Sequence, residues 1–265
     1  MELTNAVALV TGASRGVGRA VAIALAQAGA DVACAARATD HSPLKLPGTI
    51  DETVREIEAA GRHGLAIPTN LADPGDVERM VQRTLDRFGR IDVLINNAAI
   101  TFAGDLQVPM KRYDLMLAVN LRAPLQAIQL VMAGMKERRA GAIVNVSSAA
   151  ALHPFPSLMT YGMSKAALER LTIDAAAQLA PYGIAVNTFR IDVPVASEGF
   201  VANLPDVDHD EWEPTAVPAE GMLWMLRQPP DYTGHNVGMT ELRATHGIMP
   251  SRAKRPFQPS GFGPG

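Results

Sequence analysis

A phenol and an ammonium stand four positions apart in Tyr161-Gly162-Met163-Ser164-Lys165. On a helix that spacing puts both side chains on one face, one turn from each other. A free tyrosine titrates near pH 10, and bringing it within reach of pH 7 takes about 4 kcal/mol of preference for the phenolate. An ammonium about 4 Å away, at an effective dielectric near 20, supplies roughly that much. Such a pair is a general acid or base for neutral pH. A four-letter match is short, so the rest of the chain has to support it.

The elements that would position this pair read as strands alternating with helices. Short apolar runs suited to buried parallel strands lie at residues 6–10, 31–35, 64–68, 91–95, 142–146 and 185–189. Helical stretches are read at 19–28, 49–60, 74–88, 111–136, 161–179 and 219–226, with Asp73 an N-cap ahead of Pro74. The pattern predicts one α/β domain over residues 1–250: a doubly wound Rossmann-type parallel sheet with helices on both faces and right-handed crossovers. Ser147-Ser148 end the fifth strand, at the carboxyl edge where open α/β sheets bind ligands. Asn120 falls in the middle of a helix, where asparagine is a poor former, and invites a reason: bonding backbone, bending the helix or holding a water.

The first strand runs into Thr11-Gly12-Ala13-Ser14-Arg15-Gly16-Val17-Gly18, a glycine turn opening a helix. Free N–H groups and the helix dipole favour a phosphate there, which makes Gly12, Ser14, Arg15, Gly16, Val17 and Gly18 candidate cofactor-binding positions. The end of the second strand selects between cofactors, because a carboxylate there holds the ribose hydroxyl of NAD and a basic residue the 2′-phosphate of NADP. Here Ala36-Arg37 occupies that end, and Arg15 is a second guanidinium within the turn, so NADP(H) is expected over NAD(H).

The bulk of the chain bounds the partner. Its 265 residues are 48% hydrophobic and 19% charged, with 24 basic against 27 acidic side chains, which suggests neither disorder nor a nucleic-acid footprint. A small molecule is the expected partner. The single cysteine, Cys34, excludes an internal disulfide and a cysteine-rich zinc site and fits a reducing compartment, with the cytoplasm as the default. His41 and His63 sit among turn residues with no second histidine or carboxylate pair at metal spacing, and no metal is expected. No apolar stretch reads as a membrane span, and no leader precedes the first strand, so no membrane partner is expected.

Taken together, Thr11-Gly12-xxx-Gly16-x-Gly18, Asn96-Asn97-Ala98, Asn120, Ser148 and Tyr161-xxx-Lys165 resemble the short-chain dehydrogenase/reductase family over roughly residues 6 to 240, including a serine thirteen residues ahead of the tyrosine. The resemblance implies that Tyr161 is the general acid/base, that Lys165 lowers its pKa and holds the nicotinamide ribose, that Ser148 bonds the substrate oxygen, and that Asn120 anchors a water of a proton relay. It also implies cofactor contacts from Asn70 and Leu71 after the third strand and from Asn97 and Ala98 after the fourth. The reaction implied is hydride transfer between nicotinamide and a ketone or secondary alcohol, in a homotetramer or dimer built on the helices carrying Asn120 and Tyr161. A non-catalytic NADP(H)-binding sensor or scaffold is the alternative.

Three positions depart from the family pattern. Ala99 stands where glycine is usual, and Asn70 where an aspartate commonly contacts adenine. The Pro-Gly pair after the sixth strand is replaced by Ile191-Asp192, and direct alignment puts Pro194, which has no N–H, at the carboxamide contact. A loop one residue longer gives the backbone role to Val195 and the hydroxyl role to Ser197. The loop Leu44-Lys45-Leu46-Pro47-Gly48-Thr49-Ile50 is similar to an insert in hydroxysteroid-dehydrogenase-like members. The irregular stretch 192–218 is read as a substrate lid, and the Pro/Gly-rich tail 251–265 as extended or disordered. An apolar substrate pocket is expected from Phe102, Leu152, Phe155, Leu158, Met159 and Phe200.

Overall fold

A computed structural model describes residues 1–255 and 257; the end of the tail, with Pro256, Pro259, Gly261, Gly263 and Pro264, lies outside the described residues. Seven parallel strands form one sheet in the order β3-β2-β1-β4-β5-β6-β7. They are β1 (Val7–Thr11), β2 (Asp31–Ala36), β3 (Gly64–Pro68), β4 (Val93–Asn96), β5 (Gly141–Ser148), β6 (Ile184–Ile191) and β7 (Asn236–Gly238). Chain order reverses between β1 and β4, which makes their carboxyl ends the topological switch point.

The helices are α1 (Gly16–Gln27), α2 (Ile50–Ala59), α3 (Pro74–Phe88), α4 (Met110–Leu117), α5 (Ala123–Arg138), α6 (Met159–Leu179), α7 (Glu198–Asn203), α8 (Ala216–Arg227) and α9 (Met239–His246). Side-chain alternation along each strand divides the core in two. On β1, Ala8 and Val10 join the layer under α1, α2, α8 and α9, while Leu9 joins the layer under α3, α5 and α6. Helices therefore cover both faces, as expected.

Sequence signals explain the ends of several elements. Thr49 accepts the N–H of Glu52 while the Glu52 side chain takes the N–H of Thr49, a reciprocal cap that starts α2 one residue later than read. Asp73 caps α3 through Gly75 N–H, with Pro74 at the first turn and Gly89, at φ 75°, closing the far end. β7 escaped the sequence reading because it is three residues long and carries no apolar run. The helix through Asn120 runs continuously from Met110 to Arg138 and, contrary to expectation, is long and apolar enough to cross a membrane by length and composition alone. Its Ala123, Ala127, Ile128, Val131 and Met135 are buried in the sheet layer, which accounts for that composition without a membrane.

Candidate active site

The glycine turn is shaped by close approach. A Cβ on Gly18 would stand 2.3 Å from both the Asn97 amide nitrogen and the Gly12 carbonyl, and one on Gly12 would stand 2.8 Å from that same nitrogen. Gly12 and Gly16 also take φ of +69° and +58°, in the left-handed region that favours glycine. Asn97 explains the crowding: its Nδ2 donates to Thr11 O at 2.9 Å, and Thr11 Oγ1 accepts the N–H groups of Asn97 and Ala98, both at 3.1 Å. The end of β4 is thereby tied to the end of β1 across the switch point.

Helix α1 begins at this turn with no side-chain cap. Its first N–H groups are left for an anion, and the bare glycine backbone gives that anion room, so the turn fits a dinucleotide diphosphate. Val17 packs its side chain into the core, leaving only its backbone to face a ligand, and Ser14 is buried beside it. Facing Gly16 are Ser197, whose Cβ lies 3.1 Å from where a Gly16 Cβ would be, and Glu198, which carries a buried carboxylate oxygen without a hydrogen-bond partner.

The two arginines differ. Arg15 is committed to the insert loop: its Nε donates to Pro47 O at 2.8 Å and its Nη2 to Leu46 O at 2.9 Å and Gly48 O at 3.1 Å. Gly48, at φ +96°, allows the loop to lie 2.5 Å from Ser14 O, measured from its would-be Cβ. Arg37 is exposed at the end of β2 and its charge acts on that of Arg15. Asn70 is exposed, and its Oδ1 accepts Ala72 N–H at 3.2 Å in a local turn, with Leu71 half-buried against the core.

At the carboxyl edge of β5, four residues gather. Asn120 is fully buried in a π-helical turn, Ala118–Arg122, which joins α4 to α5. It accepts Ile100 N–H at 2.9 Å and donates Nδ2 to Ile100 O at 2.9 Å and to Ser164 Oγ at 3.1 Å. The widened turn thus binds backbone across the cleft, the first of the roles its position suggested. Lys165 is 2% exposed and donates Nζ to Val146 O at 2.7 Å, with Nζ 5.7 Å from the Tyr161 ring centroid. Ser148 accepts Ala150 N–H at 3.3 Å as the cap of the short 3-10 turn Ala149–Ala151.

Burial pushes the Tyr161 phenol above its usual value, and a hydrogen bond with Ser148 opposes that rise. Burial also lowers Lys165 to about 8, against the charge of Glu169. The Tyr161–Lys165 spacing predicts an acidified phenol; in the protein alone, desolvation of the phenol outweighs the Ser148 hydrogen bond and leaves it raised.

The loop after β6 gives Asp192 a partner of its own. Asp192 sits at the start of α9, accepting Thr240 N–H at 3.2 Å and the Thr240 hydroxyl. A carboxylate at the N-terminus of α9 complements the helix dipole. Val195 is buried and bridges to Glu213: Glu213 N–H reaches Pro194 O at 2.9 Å and Ala196 N–H reaches Glu213 O at 2.8 Å. Strand alternation then turns the Val195 N–H to the other side. Ser197 caps α7, a helix inside the stretch read as irregular, and α8 starts at Ala216, three residues before its expected start.

The six residues expected to make an apolar pocket separate. Phe155, Leu158 and Met159 line a cavity of about 340 Å³ with Met163 and Ala166, but its lining includes neither Ser148 nor Tyr161. Leu152 is exposed, Phe102 lies beneath Arg112, and Phe200 stacks on Trp212 with ring centroids 4.6 Å apart. Among the described residues no cluster of metal-ligating side chains forms. The site also contains a buried pair the sequence reading missed, Glu169 and Arg190, with Arg190 Nη2 2.7 Å from Glu169 Oε2. An arginine within an otherwise buried strand was its only signal.

Comparison with known proteins shows the family and the fold. Residues 6–193 match the family model described as short chain dehydrogenase. The chain is similar to hydroxysteroid dehydrogenase-like protein 2 of Danio rerio, 32% identical over 250 residues, covering 93% of this chain and 60% of the relative. It thus spans about 60% of the length of that relative. It is also similar to a 3-oxoacyl-(acyl-carrier-protein) reductase FabG of Staphylococcus aureus, 37% identical over 213 residues and 80% of each chain. A crystal structure of a putative dehydrogenase from Xanthomonas campestris superposes with a TM-score of 0.86 at 30% identity, covering 100% of both chains. A metagenomic short-chain oxidoreductase in complex with NADP superposes with a TM-score of 0.75 at 26% identity, over 90% of this chain and 98% of that one. The fold alone is shared with carveol dehydrogenase from Mycobacterium avium in complex with NAD, TM-score 0.78 at 20% identity, over 89% of this chain and 96% of that one. The chain belongs to the short-chain dehydrogenase family.

Proposed function

We propose that this enzyme is an NADP(H)-dependent oxidoreductase of a ketone or secondary alcohol, with Tyr161 as general acid in reduction and general base in oxidation. The observation that carries the reading is the gathering of Asn120, Ser148, Tyr161 and Lys165 around the carboxyl end of β5. The nicotinamide, when bound, supplies the hydride. The chain's own residues manage the oxygen: Ser148 and Tyr161 hold it, and the phenol gives up or takes its proton. Lys165 keeps a positive charge beneath the phenol and holds the ribose, and Asn120 anchors a water on the path to solvent.

Gly12, Ser14, Arg15, Gly16, Val17 and Gly18 form the diphosphate side of the cofactor site, Asn70 and Leu71 the adenine side, and Asn97, Ala98, Val195 and Ser197 the nicotinamide side. Arg37 carries the preference for the 2′-phosphate, since its guanidinium is exposed at the strand end while Arg15 holds the insert loop. The domain spans residues 1–250, with 192–218 as the lid over the substrate. The free, buried Cys34, its thiol pushed up to about 12, suits a reducing cytoplasm. Exposed Met110, Leu115 and Leu125 on the α4–α5 helix and Met163 and Ile173 on α6 support a homodimer or homotetramer formed on those helices.

The test is NADPH and NADH consumption across a panel of carbonyl compounds that includes a ketosteroid and a 3-oxoacyl thioester, the classes named in the relatives. Preferential NADPH consumption with at least one of them is expected. Tight NADPH binding with no consumption on any would favour a sensor.

A further inference from the structure

Lys165 is not the only charge on the inner face of α6. One turn on, Glu169 is 6% exposed and accepts from Ser147 Oγ at 2.7 Å, Arg190 Nε at 2.8 Å and Arg190 Nη2 at 2.7 Å. Arg190, on β6, is 8% exposed. Taking two charges out of water is expensive, and well-packed apolar side chains of similar volume serve stability as well or better. The pair therefore calls for a reason besides stability, and its location supplies one. Ser147 stands between Val146, whose carbonyl receives Lys165 Nζ, and Ser148. One carboxylate thus ties together α6 with Tyr161 and Lys165, β5 with Ser148, and β6 leading to the lid.

We infer that Glu169 and Arg190 are positioning residues, a buried charge couple that fixes Lys165 against β5 and sets how firmly the Tyr161–Lys165 pair holds its proton. This rests on the reading of Tyr161 and Lys165 proposed above. Along α6, Glu169 has Tyr161 and Lys165 on its N-terminal side, and its charge opposes the effect of burial on Lys165. From β5 it meets the neutral Ser147 hydroxyl, and from β6 the Arg190 guanidinium. Beyond these, Asp192 and Glu241 act on Arg190, and Asn236 of β7 donates to the Glu169 backbone carbonyl at 3.4 Å.

The test is the pH profile of kcat/KM for NADPH-driven carbonyl reduction, with NADPH affinity measured by fluorescence at each pH. Glu169→Gln keeps the side-chain shape but leaves the Arg190 charge unbalanced, so the basic limb should fall by about 1 pH unit. Arg190→Met leaves the Glu169 charge unbalanced, and the limb should rise by a similar amount. Removing one partner leaves a buried charge alone and can impair folding, so Glu169→Asp and Arg190→Lys are made alongside; each keeps its charge and should keep the limb. The pH at which NADPH affinity weakens should move in the same directions. Shifts of opposite sign in the two charge-removing variants support the inference; a stationary limb, or movement in the same direction, overturns it. If Tyr161→Phe retains turnover, the parent reading fails. If that variant is inactive while the limb stays fixed in Glu169→Gln and Arg190→Met, this inference alone fails.

Discussion

Replacing Lys165 with methionine should stabilise the protein at neutral pH while destroying its activity. The lysine is 2% exposed, and burial brings its pKa from 10.5 to about 8. A shift of that size corresponds to a cost of about 3 kcal/mol for keeping the ammonium charged inside the folded protein. Against it stands one hydrogen bond, Nζ to Val146 O at 2.7 Å, whose loss leaves a buried carbonyl unpaired at about 1–2 kcal/mol. Methionine restores most of the packing volume, and Glu169 keeps Arg190 and Ser147 as partners. The balance favours the variant by about 1–2 kcal/mol, a rise in Tm of roughly 2–6 °C for a domain of this size.

The pH dependence fixes the sign. Between pH 8 and 10.5 the unfolded lysine is protonated and the folded one is not, so wild-type stability gains with rising pH in that window. The advantage of Lys165→Met should therefore be full below pH 8 and shrink above it. Thermal melts read from pH 6.5 to 9.5, below the range in which phenols titrate, provide the assay. A variant less stable than wild type at pH 7, with a gap that does not change by pH 9.5, would refute the reasoning.

Three further outcomes follow from particular contacts. Gly18→Ala would place a Cβ 2.3 Å from both Asn97 Nδ2 and Gly12 O, so it should lower stability by about 3 kcal/mol and abolish NADPH binding; unaltered binding by calorimetry would show that the turn has more room than its geometry implies. Arg37→Glu should weaken NADPH binding at least tenfold relative to NADH, as expected for loss of a charge-assisted bond, and an unchanged NADPH/NADH affinity ratio would assign the 2′-phosphate elsewhere. Asp192→Ala removes the carboxylate at the start of α9 and should cost about 1 kcal/mol in denaturant melts, whereas a neutral result would deny it a capping role.

What the sequence disclosed, and what it withheld, follows the range of the interactions. Six strands were legible because strands buried on both faces are continuous apolar runs, and the start of α3 because Asp73 and Pro74 act within one turn. The Tyr161–Lys165 face was legible for the same reason, being local to one helix. The fate of Arg15 was not, since its partners are backbone carbonyls of a loop some thirty residues on. The bond from Asp192 to the start of α9 was not legible either, because its partner, Thr240, is 48 residues away. The effect of burial on the phenol was hidden too. Pair spacing reports the attraction between the two groups, but desolvation depends on what closes over the pair, and that comes from β5 and the turn around Asn120.

The most direct measurement is single-turnover NADPH oxidation by wild type and by Tyr161→Phe on the same carbonyl substrate, with the NADPH dissociation constant determined for both. The loss of a general acid should lower the rate by about 10²–10⁴-fold while cofactor affinity stays within about twofold. Undiminished turnover in the phenylalanine variant would contradict the assignment of Tyr161 as the proton donor.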